Sequence, residues 1–283
     1  MKLRVALITA LTLTIFSTPS LNAATKDFTV GGDRPTLVHM PTKVSTPAPL
    51  LIMLHSYSTS GAHQERYMKL GPVAKKSGLI YIAPDGNIDL AGKRFWNATK
   101  SCCDKYGAEP DDIGYIDSLI AEISETVEVD PARIYLIGHS NGAFMSLKYA
   151  CTTNKVAAIV TLAGAMDADT DCLPASPTAL LNIHGTADAT IKFNGGALNT
   201  FAYTSAAQTN EKFTTVNQCT NPGSKKKDFD PSLKGSETTI FTYTCATGAP
   251  VQFWKVKDGL HSPRLPIDYA QQVISFLLAQ KKR

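Results

Sequence analysis

Charge is scarce in this chain and nearly balanced. Charged residues make up 18% of its 283 positions, and 28 Lys and Arg stand against 24 Asp and Glu. An excess of +4 with no basic face gives no argument for a nucleic-acid partner. A hydrophobic share of 43% is too high, and the charge too low, for a disordered chain. Cysteine is sparse as well. Six in 283 residues exclude a small disulfide scaffold, and none of their spacings resembles a zinc ribbon or a CxxC redox pair. No metal or cofactor is implied. No apolar run reaches the roughly 20 residues that a bilayer span needs, so no membrane partner is expected. There is no internal repeat and no linker to a second module. The length suits one large domain or two small ones.

The N-terminus reads as a secretory signal peptide over residues 1–23. Lys2 and Arg4 precede an uncharged, mostly apolar run from Val5 to Phe16; Ser17-Thr18-Pro19-Ser20 breaks it, and Leu21-Asn22-Ala23 offers a small residue for cleavage. Residues 24–283 are then expected as a single domain, secreted to an extracellular or periplasmic space. An oxidising compartment makes disulfides the natural reading of an even cysteine count. Cys151–Cys172 and Cys219–Cys245 each close a modest loop between neighbouring elements. Cys102 and Cys103 remain; either they bond to each other or the connectivity is different.

Short apolar runs alternate with helical patterns. Leu50–Leu54, Leu79–Ala83, Ile134–Ile137, Ala157–Leu162, Ala179–Ile183 and Val251–Val256 suit strands covered on both faces. Helices are expected over Ile113–Val127, opened by Asp111-Asp112 at its positive end, over Asn141–Tyr149, and over Ile267–Lys281 with Tyr269, Val273, Phe276 and Leu277 on one stripe. The alternation implies an α/β fold, a mostly parallel sheet with helices on both faces. The polar stretch 194–248, with Lys225-Lys226-Lys227, reads as an insertion at the rim, helical near Asn199 to Val216.

Gly138-His139-Ser140-Asn141-Gly142 matches Gly-x-Ser-x-Gly and lies between a predicted strand and a predicted helix. That is the placement of a nucleophile elbow, a strained turn that exposes a serine hydroxyl at the carboxyl end of a sheet. A serine needs a base, and on this fold the chain order is serine, acid, histidine. Two histidines follow Ser140. His184 ends a predicted strand, whereas His261 lies in the loop after the last one and leaves room for an acid between. Asp188, after the strand Ala179–Ile183, is the best-placed acid; Asp167, Asp169, Asp171 and Asp258 are its rivals. The oxyanion needs two backbone amides. Asn141 follows the nucleophile, and Tyr57 lies in the loop His55-Ser56-Tyr57-Ser58 after an early strand.

Taken together, LIMLHSYSTSG, YIAPDG, FWNAT followed by CCD, DDIGYI, DPARIYLIGHSNGAFMSLKYAC, NIHGTAD and DGLHSP run in one order from about residue 50 to 263. In this the chain resembles the secreted α/β-hydrolases of the polyhydroxybutyrate depolymerase and feruloyl esterase group. The resemblance implies hydrolysis of carboxylic esters with Ser140, Asp188 and His261 as the triad. It supports Tyr57 and Asn141 for the oxyanion hole, and makes Trp96 a wall of the substrate cleft, although a large aromatic there also suits packing of a loop. Ser56, Ala143 and Arg264 depart from the usual pattern around the cleft and bear on substrate choice. Asn97-Ala98-Thr99 is a glycosylation sequon, of consequence in a glycosylating host.

The expected function is a secreted serine esterase acting through an acyl-enzyme on feruloyl or acetyl esters, polyhydroxyalkanoates or aromatic polyesters. The alternatives are a serine peptidase or acyltransferase on the same fold, which differ only in leaving group or acceptor, and a non-catalytic binding protein.

Overall fold

A computed structural model describes residues 26–170 and 172–283. The signal-peptide segment and Asp171, one of the rival acids, lie outside the described residues. The described residues open with a small hairpin, β1 (Phe28–Val30) and β2 (Thr36–Val38), and enter the main sheet at β3 (Ala48–Leu54). Helices α1 (Gly61–Met68) and α2 (Leu70–Lys76) lead to β4 (Ile80–Ile82), then to a two-residue ladder, β5 (Asn87–Ile88) with β6 (Arg94–Phe95). The remainder runs α3 (Asp112–Thr126), β7 (Val129–His139), α4 (Asn141–Thr152), β8 (Ala158–Leu162), β9 (Ala179–Gly185), β10 (Gly196–Leu198), β11 (Phe201–Tyr203), α5 (Ala206–Val216), β12 (Gly223–Lys227), β13 (Thr238–Tyr243), β14 (Val251–Val256) and α6 (Tyr269–Leu278).

Eight strands form the main sheet in the order β12-β13-β14-β9-β8-β7-β3-β4. From β4 to β14 every pairing is parallel; β12 and β13 add an antiparallel edge. The expected strands and helices therefore stand. Pro49, placed just before the first of them, falls inside β3, where the register shifts between Ala48 and Leu50, so no ladder hydrogen bond is asked of it.

The alternation of β3 divides the interior. Leu50, Ile52 and Leu54 face one apolar cluster, with Ile116, Leu119 and Ile123 of α3 and Phe144 and Leu147 of α4. Leu51 and Met53 face the other, with Met68, Leu70 and Ala74 of α1 and α2 and Val273, Ile274 and Leu277 of α6. β3 is buried on both sides, which is why its sequence is continuously apolar. On α6 the buried stripe is Tyr269, Ala270, Val273, Ile274 and Leu277, and Phe276 is only half-buried at its margin.

The stretch 194–248 is corrected in part. Its helix begins at Ala206, where Ser205 and Gln208 form a reciprocal capping box, and Asn199 lies in the turn of the β10–β11 hairpin before it. Thr238–Tyr243 is not a rim insertion but a strand of the main sheet, paired along its whole length with β14. Lys225, Lys226 and Lys227 lie on β12, the sheet's outer strand, where lysines oppose pairing with another chain.

The cysteines pair Cys102–Cys103, Cys151–Cys172 and Cys219–Cys245. Among the described residues no helix is long and apolar enough to cross a membrane.

Sheet order decides where a site can form. From β3 the chain winds outward to β4, then returns to β7 on the other side of β3 and continues to β14. The loops after β3 and β7 thus leave the sheet side by side at a topological switch point, where open α/β sheets place their ligands. Leu54 is in register with Gly138, so both chains turn out of the sheet at one level.

Candidate active site

The turn after β7 is as tight as the motif requires. Ser140 has φ 53 and ψ −121, a positive φ that a non-glycine residue holds only under strain. Its N–H donates to Leu162 O at 2.9 Å, and its carbonyl accepts from Ala143 N and Phe144 N to start α4. The flanking glycines are required by space. A Cβ on Gly138 would lie 2.1 Å from Gly142 O, and one on Gly142 would lie 2.1 Å from Leu54 O. The first turn of α4 therefore rests on the backbone at the end of β3.

Asp188 and His261 arrive from neighbouring strands. β9 and β14 are parallel neighbours, so the loops that follow them emerge together and are stitched by backbone bonds, Thr186 N to Val256 O at 2.8 Å and Ala187 N to Gly259 O at 3.0 Å. His261 Nδ1 lies 2.8 Å from Asp188 Oδ2, while Asp188 Oδ1 accepts from Thr190 N at 2.8 Å and Ile191 N at 2.9 Å. Burial alone would raise the Asp188 pKa. Hydrogen bonds from His184 and His261, the charge of His261 and the Ile191 amide outweigh it and hold the carboxyl well below the usual range. The rival acids are differently engaged. Asp167 accepts from Lys100 N, Ser101 N and Ser101 Oγ, and Asp169 and Asp258 are exposed.

Ser140 and His261 come to the same corner without a direct hydrogen bond between Oγ and the imidazole among the described contacts. The link between their segments is His139, whose Nε2 lies 3.0 Å from His261 O. A carbonyl only accepts, so Nε2 carries the proton. Burial first, and the neighbouring His261 second, push the His139 pKa down to about 4, and the ring stays neutral near pH 7. Tyr67 closes the same corner: its ring lies 5.5 Å from that of His139, and its hydroxyl donates to Pro263 O at 2.7 Å. Arg264 N donates to Asp230 Oδ2 at 3.2 Å. The loop bearing His261 is thus held on three sides.

Two neighbouring histidines that motif reading left out of the site also have defined states. His184 is buried beneath Asp188; its Nε2 donates to Ile191 O at 2.8 Å and lies 3.4 Å from Asp188 Oδ2. In His55, Nδ1 donates to Ser56 O and Nε2 accepts from Gly86 N, both at 2.8 Å, and burial lowers its pKa. No spacing in the sequence marks either as a partner of the site. His139 had a signal, since it precedes the serine, but the motif leaves that position open.

The amides of Tyr57 and Asn141 have no protein acceptor among the described residues, while their neighbours Ser56 N and Ser58 N are bound to Gln64 Oε1 and Arg94 O. The Tyr57 hydroxyl donates to Asp89 at 2.7 Å, and Lys105 Nζ lies 4.2 Å from its ring. Trp96 differs from expectation. It is not a cleft wall: its side chain is 0% exposed, inside the core cluster under α3 and α4, because its indole N–H is satisfied inward by His55 O at 3.1 Å. Asn97 is half-buried and donates to Pro110 O at 3.0 Å. Among the described residues no group of three or more His, Cys, Asp or Glu is arranged to hold a metal ion.

Comparison with known proteins identifies the family. Residues 42–226 match the Phospholipase/Carboxylesterase family. Feruloyl esterase B of Piromyces equi is 33% identical over 154 residues, which are 53% of this chain and 28% of that protein. Feruloyl esterase D of Neurospora crassa is 26% identical over 70% of this chain and 58% of its own length. The bifunctional acetylxylan esterase/xylanase of Neocallimastix patriciarum is 22% identical over 82% of this chain and 31% of its own length. The chain thus spans between 28% and 58% of the length of these curated relatives. Among solved structures, the acetyl xylan esterase from Aspergillus awamori superimposes with a TM-score of 0.63 at 12% identity, over 90% of this chain and 98% of that one. A carboxylesterase of Bacillus cereus gives 0.53 at 15% identity over 86% and 92%. At such identities the likeness speaks for the fold, which is that of the α/β-hydrolases.

Proposed function

The chain belongs to the Phospholipase/Carboxylesterase family, and from that premise we propose that it is a serine hydrolase of carboxylic esters. The observation that carries the reading is the Asp188–His261 pair, 2.8 Å apart, beside a serine on a strained elbow. Asp188 accepts from Nδ1 and so leaves Nε2 of His261 free of its proton, the tautomer that a general base requires. His261 takes the proton of Ser140 as Oγ attacks the ester carbonyl. The oxyanion that forms is held by the amides of Tyr57 and Asn141, the second at the positive end of α4. His261 then protonates the departing alcohol, and water repeats the sequence on the acyl-enzyme.

Feruloyl and acetyl esters on plant polysaccharide are the proposed substrates, supported by the names of the relatives. Polyhydroxyalkanoates and aromatic polyesters are the further ester classes that the sequence resemblance suggests. Export through residues 1–23 is part of the same proposal, and three disulfides suit an oxidising compartment.

The test is hydrolysis of short-chain p-nitrophenyl esters, methyl ferulate and acetylated xylan by the protein and its Ser140→Ala variant. Turnover lost in the variant supports the reading, and the preferred ester ranks the substrates. Cleavage of amides, or transfer to added alcohol in preference to water, would instead favour the peptidase or acyltransferase. No turnover of any of these by the wild type favours a binding protein.

A further inference from the structure

The two amides assigned to the oxyanion belong to segments far apart in sequence, and both segments are tied to one buried residue. Trp96 N–H donates to Asn141 Oδ1 at 2.7 Å, and Asn141 Nδ2 donates back to Trp96 O at 2.9 Å. This closed pair of hydrogen bonds leaves the Asn141 side chain one orientation, with both amide atoms used. On its other side the Trp96 indole N–H donates to His55 O at 3.1 Å, two residues before Tyr57. The indole also packs on the His55 ring, with centroids 5.2 Å apart, and on the Tyr115 ring at 6.4 Å. His55 is fixed in turn by Gly86 N at 2.8 Å, and Gly86 lies so close to Phe95 that a Cβ there would meet Phe95 O at 2.2 Å. Trp96, Asn141 and His55 are all 0% exposed. The bonds run from one candidate donor segment through Trp96 to the other.

We propose that Trp96 is a positioning residue that sets the separation of the Tyr57 and Asn141 amides. This rests on the proposed oxyanion role of those amides. An oxyanion site works because its donors are placed before charge develops, so a small displacement of either weakens the transition state more than the bound ester. The free Asn141 N–H and its fully engaged side chain are two parts of one arrangement: the side chain holds the residue in place, and the main chain is left to donate.

The experiment uses Trp96→Phe, which keeps an aromatic ring and removes the indole donor. Active sites are counted by end-point titration with a fluorophosphonate, so that turnover is expressed per competent serine. Trp254→Phe, a buried tryptophan of β14 whose indole donates to Gln252, controls for lost bulk. The expected result for Trp96→Phe is a fall of about tenfold or more in kcat per titrated site. KM should stay within about threefold, the pH profile should not move, and affinity for a trifluoromethyl ketone should weaken in proportion to kcat/KM. Trp254→Phe should keep its per-site kcat. If Trp96→Phe does not accumulate as folded protein, Asn141→Ala carries the test with the same readouts, because it removes both side-chain bonds and keeps the main-chain amide. A per-site kcat within twofold of wild type overturns the proposal, even where thermal stability or the titratable fraction has dropped. Ser140→Ala separates the two levels. Turnover retained in it overturns the site reading and this proposal together; turnover lost in it, with wild-type per-site kcat in Trp96→Phe, overturns this proposal alone.

Discussion

The residue before the candidate nucleophile holds the candidate base: His139 Nε2 donates to the main-chain carbonyl of His261 at 3.0 Å. The carbonyl places a proton on Nε2, and burial, which outweighs the pull of that bond toward the charged form, keeps the ring neutral by lowering its pKa from 6.5 to about 4. Between those values an unfolded chain binds a proton at this position and the folded chain does not. Stability should therefore fall as the pH falls from about 6.5 to about 4, by up to about 3 kcal/mol from this group. His139→Gln keeps an N–H donor and removes the titration. Urea unfolding at pH 7 and pH 4.5 should show a smaller loss in the variant than in the wild type; equal losses would exclude His139 as a source.

Asp188→Asn should leave the fold in place at some cost in stability and be severe as a chemical change. The position has two amide donors, Thr190 N and Ile191 N, on one oxygen. An asparagine turns its oxygen to those donors and its NH2 toward His261, which then presents Nδ1 as acceptor and carries its proton on Nε2. That is the wrong tautomer for a base, and kcat should fall about a thousandfold or more, with Tm lowered at neutral pH because the carboxylate that folding favours is gone. A loss below about tenfold would show that another acid serves.

Gly142→Ala should disrupt the elbow. The added methyl meets Leu54 O at 2.1 Å and His55 O at 2.7 Å, both backbone atoms that cannot swing aside. Destabilisation of about 3 kcal/mol or more is expected, or failure to fold. Gly223→Ala, on the outer strand with open space around it, is the matched control and should change stability by well under about 1 kcal/mol. Urea midpoints measure both.

Lys225→Val with Lys226→Val should expose the edge of the sheet to self-association. Both lysines are exposed on β12, whose outer side has no partner strand among the described residues. The double variant raises β propensity and removes the charges that oppose edge pairing. Light scattering should rise with protein concentration in the variant relative to the wild type; identical scattering would show that the lysines do not guard this edge.

Much of this architecture is legible in the residues because it rests on strong signals. Runs such as Leu50–Leu54 and Ile134–Ile137 are apolar on both faces, as a covered parallel strand requires. The glycines of the elbow are dictated by contacts near 2 Å, so the motif carries its own steric reason. β13 was hidden for the opposite cause. Thr238–Tyr243 alternates and is rich in threonine, as suits a strand near an antiparallel edge, and a search for continuous apolar runs passes over it. α1 has few apolar residues and takes its place from packing on β3 and from the Ser60 cap. Trp96 illustrates the limit at the site. An aromatic beside a loop has one sequence whether it faces a ligand or the core, and only the indole bond to His55 O decides. His184 and His55 were illegible for a related reason, since their tautomers are fixed by carbonyls and amides that no side-chain pattern announces.

The central claim is that Ser140 is a nucleophile activated by His261. Incubation with a fluorophosphonate followed by peptide mass spectrometry tests it most directly, on the wild type, Ser140→Ala and His261→Ala. The account expects one adduct per chain on the peptide bearing Ser140, none in Ser140→Ala, and labelling slowed by at least about a hundredfold in His261→Ala. An adduct on another residue, or labelling of Ser140 at an undiminished rate without His261, would contradict it.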